Sequence, residues 1–342
     1  MATIYDVAER AQVSIATVSR AFRRPDCVSE DVRERVRQAA DDLGYRPNRL
    51  ARALAEGRTN ALGLLLPSSI SNPFYGLLAE HVARCALELG YEVVITPPPE
   101  STVESYVEAA IALEDRQIEG LLLCGDAETV REYAASRRNG SPPLVAIGSS
   151  PEVGVPLVTV DEEAGGYEIA RYVLSLGHRE VAFLCLAQDE VRPTGREHGY
   201  VRAMTEAGLE PLIHQGPATL EGGRNGAREI IARAPTVTAL VSFNDAVAMG
   251  ALRGLFDSGR HVPGDVAVVG FDNTPQSRYC IPALTTMDLP VAEVAERAVG
   301  LLRRQIDGGA EGPAEGPILV DPHLVRRESC GGAGGEVAPG TG

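Results

Sequence analysis

Residues 3–22 read TIYDVAERAQVSIATVSRAF. Ile4, Val7, Ala8 and Ala11 fall at i, i+3, i+4 and i+7, so they share one face of a short helix. Residues 12–14 interrupt the pattern, and Ser14 is a suitable cap for a second helix that begins at Ile15 and turns Val18, Ala21 and Phe22 inward. Pro25 and Asp26 break that helix. Ser29 then caps a third, in which Val32, Val36, Ala39, Ala40 and Leu43 keep helical spacing until Gly44 stops it. A helix, a tight turn and a second capped helix match the helix-turn-helix plan, whose second helix enters a major groove with its first residues at the base edges. On that plan Ile15, Ala16 and Arg20 face outward. Arg20 is able to donate two bonds to guanine, while Ile15 and Ala16 offer only apolar contact, as to thymine methyls. Ser14, Thr17 and Ser19 are placed to bond phosphates. An ordinary three-helix bundle with a solvated Arg20 has the same spacing, so geometry alone leaves both readings open.

Beyond this segment the texture changes. Arg46-Pro47-Asn48 marks a junction, because the residue before proline is driven away from helical geometry. Residues 49–56, between Asn48 and Gly57, are a helix too short to persist alone. From residue 61 onward apolar strands alternate with amphipathic helices. Strands are expected at 62–66, 92–96, 120–124, 145–148, 181–186, 239–243 and 266–271, with helices at 75–89, 163–176, 197–207 and 244–257 among the stretches between them. Strands that are apolar throughout and alternate with helices imply parallel sheets covered on both faces. Some 270 residues of this pattern suit two similar lobes better than one. The stretch from Gly331 to the end is Gly- and Pro-rich and reads as a disordered tail, with no leucine heptad for a further oligomerising helix.

Composition narrows the function. The chain has 342 residues and is 44% hydrophobic and 23% charged, typical of a globular protein. All 32 basic residues are arginine. Residues 1–60 hold 11 Arg against 9 Asp and Glu, whereas the remainder carries a net charge of −17. A mildly basic segment on an acidic body suits a nucleic-acid reader attached to something else. No apolar run approaches a membrane span and no signal peptide opens the chain. Six scattered cysteines without a C-x-x-C pair, and six histidines without an H-x-x-x-H pair, give no metal site and fit a reducing cytoplasm. There is no G-x-G-x-x-G opening a helix after a strand, no Walker lysine and no G-x-S-x-G elbow, so neither a cofactor nor catalysis is expected.

TIYDVAERAQVSIATVSRAF, continued by VSEDVRERVRQAADDLGYRPNRLARAL at 28–54, closely resembles the headpiece of LacI/GalR-family transcriptional regulators. With the later motifs the resemblance covers nearly the whole chain. It implies an α/β protein with a small all-α helix-turn-helix headpiece, followed by a periplasmic-binding-protein-like core of two doubly wound parallel-sheet lobes. The domain plan that follows is a headpiece at 1–46, a hinge at 47–59, a core at 60–330 and a tail at 331–342. Within the core, one lobe takes about 60–159 and 290–318, the other about 160–289 and 319–330. The resemblance also implies a homodimeric repressor on double-stranded operator DNA, controlled by a small, sugar-like effector. The DNA-contacting set it implies is Thr3, Ser14, Ile15, Ala16, Thr17, Ser19, Arg20, Asn48, Arg49 and Leu54. Leu54 matches the leucine with which the family's paired hinge helices wedge open a base step in the minor groove; packing against the body is the alternative.

For the effector the resemblance implies Asn72, Phe74, Tyr75, Arg196, Asn244 and Asp272. Asn72-Pro73-Phe74-Tyr75 matches an N-P-F-F type turn, Gly195-Arg196 followed by Gly199-Tyr200 carries the ligand-gripping arginine, Asn244-Asp245 opens N-D-x-x-A-x-G, and Asp272 lies in VVGFDN. An aromatic face, a guanidinium, an amide and a carboxylate together suit a polyhydroxylated ring. Each also has a plainer role: Phe74 as core, Arg196 paired with Glu197, Asn244 or Asp272 as helix caps. Two positions depart from the family pattern. Gly148 and Ser149 replace an aspartate and a basic residue, and Glu162 stands where asparagine is favoured. The first removes an acceptor, which opens the effector class to smaller, phosphorylated or non-sugar molecules. Rival readings are an enzyme, an exported solute-binding protein and an architectural DNA protein. The missing motifs weigh against the first, the missing export signal against the second and the acidic body against the third.

Overall fold

The computed structural model describes residues 2–23, 25–46, 58–67, 73–148, 153–186, 194–308 and 316–331. The chain divides into two compact units, residues 1–60 and 61–342.

The smaller unit holds α1 (Ile4–Arg10), α2 (Ile15–Arg23) and α3 (Glu30–Leu43). Val7, Ala8, Ala11, Val18, Ala21, Val36, Ala39 and Ala40 form its core. Phe22, expected inside, is 40% exposed and only leans on Tyr45 at a ring separation of 6.2 Å. The buried positions of α2 are Val18 and Ala21 instead. Gly44 ends α3 in the left-handed conformation, but Ser29 makes no side-chain cap bond. Glu30 and Asp31 supply the negative charge at that helix start instead. Val18→Ala, which removes two buried methyl groups, should destabilise this small unit by about 2 kcal/mol. Far-UV circular dichroism of residues 1–60 during denaturant titration measures it.

In the larger unit the described residues form two six-stranded sheets. The first contains β1 (Ala61–Leu65), β2 (Glu92–Thr96), β3 (Gly120–Cys124), β4 (Leu144–Ile147), β5 (Leu157–Val160) and β11 (Ile318–Val320). The second contains β6 (Val181–Leu186), β7 (Leu212–Gly216), β8 (Ala239–Ser242), β9 (Ala267–Asp272), β10 (Thr285–Asp288) and β12 (His323–Val325). Their orders, β11-β5-β4-β3-β1-β2 and β12-β10-β9-β8-β6-β7, repeat one doubly wound plan. All pairings are parallel except β10 with β12, which is antiparallel. The helices are α4 (Pro73–Glu88), α5 (Val103–Glu114), α6 (Ala127–Ser136), α7 (Glu162–Ser175), α8 (Gly195–Glu206), α9 (Leu220–Arg233), α10 (Asp245–Asp257) and α11 (Val291–Ile306).

The chain passes between sheets after Val160, after Asp288 and after Val320. The last passage falls beyond the 318/319 division expected from sequence, because Leu319 and Val320 pair with Thr159 and Val160 in the first sheet. Each sheet reverses its winding between its first and third strands (β1/β3 and β6/β8), the switch point where doubly wound sheets bind ligands beyond the carboxyl ends of their strands. Tyr75 follows β1, Arg196 follows β6, Asn244 follows β8 and Asp272 ends β9, so the topology gathers the expected effector residues at that edge.

Candidate functional site

In the smaller unit, Gln12 takes a left-handed φ of 52° and turns the chain between α1 and α2, where Val13 N donates back to Ala8 O. Ser14 Oγ accepts from Thr17 N at 3.1 Å and lies 2.8 Å from Thr17 Oγ1, so both hydroxyls serve the start of α2. Thr3 caps α1 in a reciprocal pair with Asp6: Thr3 N donates to Asp6 Oδ2 at 2.7 Å and Thr3 Oγ1 accepts from Asp6 N. The solvent side of α2 exposes Ile15, Ala16 and Arg20, with Ser19 half-buried. Arg20 Nε rests on Ala16 O at 3.3 Å, and the exposed guanidinium stays on the surface of its helix. Asn48, Arg49 and Leu54 lie outside the described residues.

In the larger unit, Arg196 is buried on the first turn of α8. Its Nε and Nη2 donate to Glu162 Oε1 at 3.0 and 2.8 Å, and its Nη1 donates to Phe243 O at 2.6 Å and meets Asp272 Oδ1 at 3.5 Å. The rings of Phe271 and Phe243 lie 4.1 and 4.7 Å from the guanidinium carbon. Burial works against the charge, but Glu162 and Asp272 outweigh it and hold the guanidinium pKa above its ordinary value. The Arg196–Glu197 pairing does not form: successive residues on a helix point in different directions, whereas Glu162 opens the neighbouring helix α7. Close packing makes the partnership possible, since a Cβ on Gly195 would stand 2.9 Å from Glu162 Cβ.

Asn244 caps α10, its Oδ1 accepting from Val247 N at 2.9 Å, so its amide oxygen is engaged by the fold. Asp272 is buried, with φ at 114°, followed by Asn273 at 52°. Two consecutive positive φ values outside glycine cost on the order of 1–3 kcal/mol each and persist only where surrounding bonds impose them. Here Asn273 Nδ2 donates to Asp288 Oδ1 at 2.8 Å, Arg327 Nη2 donates to Asn273 Oδ1 at 2.5 Å, and Thr274 N donates to Asp245 Oδ2 at 2.7 Å. Asp245 also accepts from the hydroxyls of Thr274 and Thr286. This clamp, made by Asp245, Asn273, Thr274, Thr286 and Arg327, was not evident from sequence. Only Asp245, inside the N-D motif, and Asn273, the last residue of VVGFDN, carried a signal. Phe74 and Tyr75 are half-buried, edge to face at 5.4 Å. Burial, then Cys124 and Asp272, push the Tyr75 phenol well above its ordinary pKa while Arg196 opposes them, so Tyr75 stands within electrostatic reach of both charges. Asn72 and Ser149 lie outside the described residues. Gly148 is exposed with φ at 70°, which a replacing aspartate would adopt only under strain.

Asp245 gives a pH signature. Burial pushes its carboxyl up to about 6, although three hydrogen bonds and Arg327 pull the other way. The folded chain therefore holds this proton more tightly than the unfolded chain between about pH 4 and pH 6. The group's contribution to stability is full below that window and is lost as pH rises through it. Asp245→Asn should remove a slope on the order of 1 kcal/mol per pH unit there. Urea denaturation of both proteins at pH 4.5 and 7 measures it.

Residues 3–48 match the family described as bacterial regulatory proteins, lacI family, and residues 170–330 match a periplasmic binding protein-like domain. The chain is 34% identical over 334 residues to the HTH-type transcriptional regulator DegA of Bacillus subtilis, covering 96% of this chain and 97% of the relative. The chain belongs to the lacI family. It is also 31% identical to the HTH-type transcriptional repressor CytR of Escherichia coli, with 96% of each chain covered. Among solved structures, the lac repressor dimer bound to operator and the anti-inducer ONPF superposes with a TM-score of 0.85 at 27% identity, covering 96% of this chain and 99% of that one. A complex of the transcriptional regulator CelR with cellobiose gives 0.70 at 29% identity, covering 96% and 100%. Among the described residues of this lacI-family chain, no helix is long and apolar enough to cross a membrane.

Proposed function

We propose that the chain is a sequence-specific DNA-binding repressor that works in the cytoplasm as a homodimer on a palindromic operator. A small polar metabolite held by Tyr75, Arg196 and Asp272 changes the population of the DNA-competent state. The observation that carries this reading is the outward face of α2, where Ile15, Ala16 and Arg20 stand clear on a helix anchored by buried Val18. Ser14, Thr17, Ser19 and Thr3 are the phosphate-side contacts of this reading, and Asn48, Arg49 and Leu54 serve the hinge and the minor groove. Operator-bound lac repressor and cellobiose-bound CelR support it by similarity. Regulation rather than catalysis is the role, as in the DegA and CytR relatives.

A second copy follows from the two-fold symmetry expected of the operator, and the lac repressor in its operator complex is a dimer. Effector and operator then bias one two-state equilibrium, with coupling of about 1–3 kcal/mol.

Selection of duplexes from a random pool, followed by anisotropy titration, tests the reading. The selected site should be two-fold symmetric, with affinity falling steeply with salt. Arg20→Ala should weaken binding to that site by about 10- to 100-fold, equivalent to ~1–3 kcal/mol, and relax preference at one base pair of each half-site. Failure to enrich any duplex would overturn the proposal.

A further inference from the structure

The guanidinium of Arg196 already holds an anion. Of its five N–H groups, one on Nε and one on Nη2 go to Glu162, and the Nη1 pair is directed to Phe243 O and Asp272. Phe271 and Phe243 cover its faces. A phosphate or carboxylate is gripped by arginine through two parallel N–H bonds, and the Nε/Nη2 edge that would make them is occupied by Glu162 Oε1. The place would otherwise favour an anion, since α7 starts at Glu162, α8 at Gly195 and α10 at Asp245, and helix N-termini carry partial positive charge. The chain answers that field with its own carboxylates. Among the described residues, Glu162 and Asp272 stand around one buried Arg196 and sum with it to a balance of −1. Asp272 is buried whereas the Glu162 side chain is 37% exposed, so Glu162 is the member of the trio open to solvent and offers acceptor oxygens to hydroxyl or ammonium donors.

We infer that Glu162 sets the charge class of the effector: the site takes an uncharged or cationic polar molecule, such as a polyol, an amino sugar or a nucleoside, and refuses one recognised through a phosphate or carboxylate. This rests on the reading of the Arg196 site as the effector site. It narrows the range left open by Gly148, because a phosphorylated ligand would have to displace Glu162 from both N–H groups at once.

The test is thermal denaturation of the full chain and of Glu162→Gln in millimolar inorganic phosphate, against chloride at equal ionic strength. Glutamine keeps the volume and removes the charge. The variant should gain a phosphate-dependent rise in Tm with an apparent affinity at least about tenfold above wild type, and adding Arg196→Met should abolish the gain. A wild-type chain stabilised by phosphate through Arg196 would overturn the inference, as would a Glu162→Gln chain no more responsive than wild type. Failure of the effector reading would appear separately, as operator affinity unmoved by any polyol, amino sugar or nucleoside while the phosphate result stood.

Discussion

Gly199→Ala is expected to lower the thermal midpoint of the larger unit by roughly 6–12 °C, on the order of 3 kcal/mol. In an ordinary helix interior the same change raises stability, because alanine has the higher helix propensity by about 0.5–1 kcal/mol. The sign reverses because α7 and α8 cross with backbones touching. A Cβ on Gly199 would overlap Glu163 O and Tyr167 N, and one on Gly166 would overlap Arg196 O. These neighbours are main-chain atoms inside helices, so no rotamer change relieves the overlap. The helices must separate, and with them Glu162 and Arg196, which the crossing holds together. Gly300→Ala on α11 is the control. Its nearest neighbour would be Arg304 Nη1 at 3.9 Å, so that substitution should gain up to about 1 kcal/mol. Differential scanning calorimetry of the three proteins reads both signs. Equal midpoints for Gly199→Ala and wild type would mean that the crossing is looser than described.

Arg196→Met is expected to cost about 3–5 kcal/mol at neutral pH, the range for breaking a buried ion pair by removing one partner. The side chain of Asp272 is 3% exposed and would lose its guanidinium, while the more exposed Glu162 can turn to water and adds little. Adding Asp272→Asn should recover part of the loss, since the charge that Arg196 balanced is then removed as well. Urea denaturation of the single and double variants at pH 7 measures this cycle. A double variant no more stable than the single one would show that lost packing between Phe243 and Phe271, not lost charge pairing, dominates.

What sequence conveyed well was everything governed by local periodicity. The helix-turn-helix pattern, the left-handed stop at Gly44 and the long apolar strands β1, β3 and β9 are local in origin, and their residues announce them. The strands that escaped notice, β5, β7, β10, β11 and β12, have three to five residues, and several mix polar with apolar side chains, as in LIHQG and TTMD. Such segments become strands because a neighbouring edge pairs with them, as Leu319 does with Thr159 and Thr286 with Gly270. Asn244 takes the plainer of its two expected roles: it precedes α10, and its amide oxygen caps that helix.

The amino-acid order therefore fixed the helix-turn-helix pattern and the alternation of helix and strand, because propensity, capping and apolar spacing act over a few residues. Only the tertiary structure chose the partners of Arg196 and Asp272. Glu162 reaches Arg196 across 34 positions because glycines at 166, 195 and 199 let two helices meet backbone to backbone. Asp272 is held in its strained turn by a clamp drawn from Asp245, Thr286 and Arg327. Distances of this kind depend on how distant segments pack, and packing is a property of the whole fold.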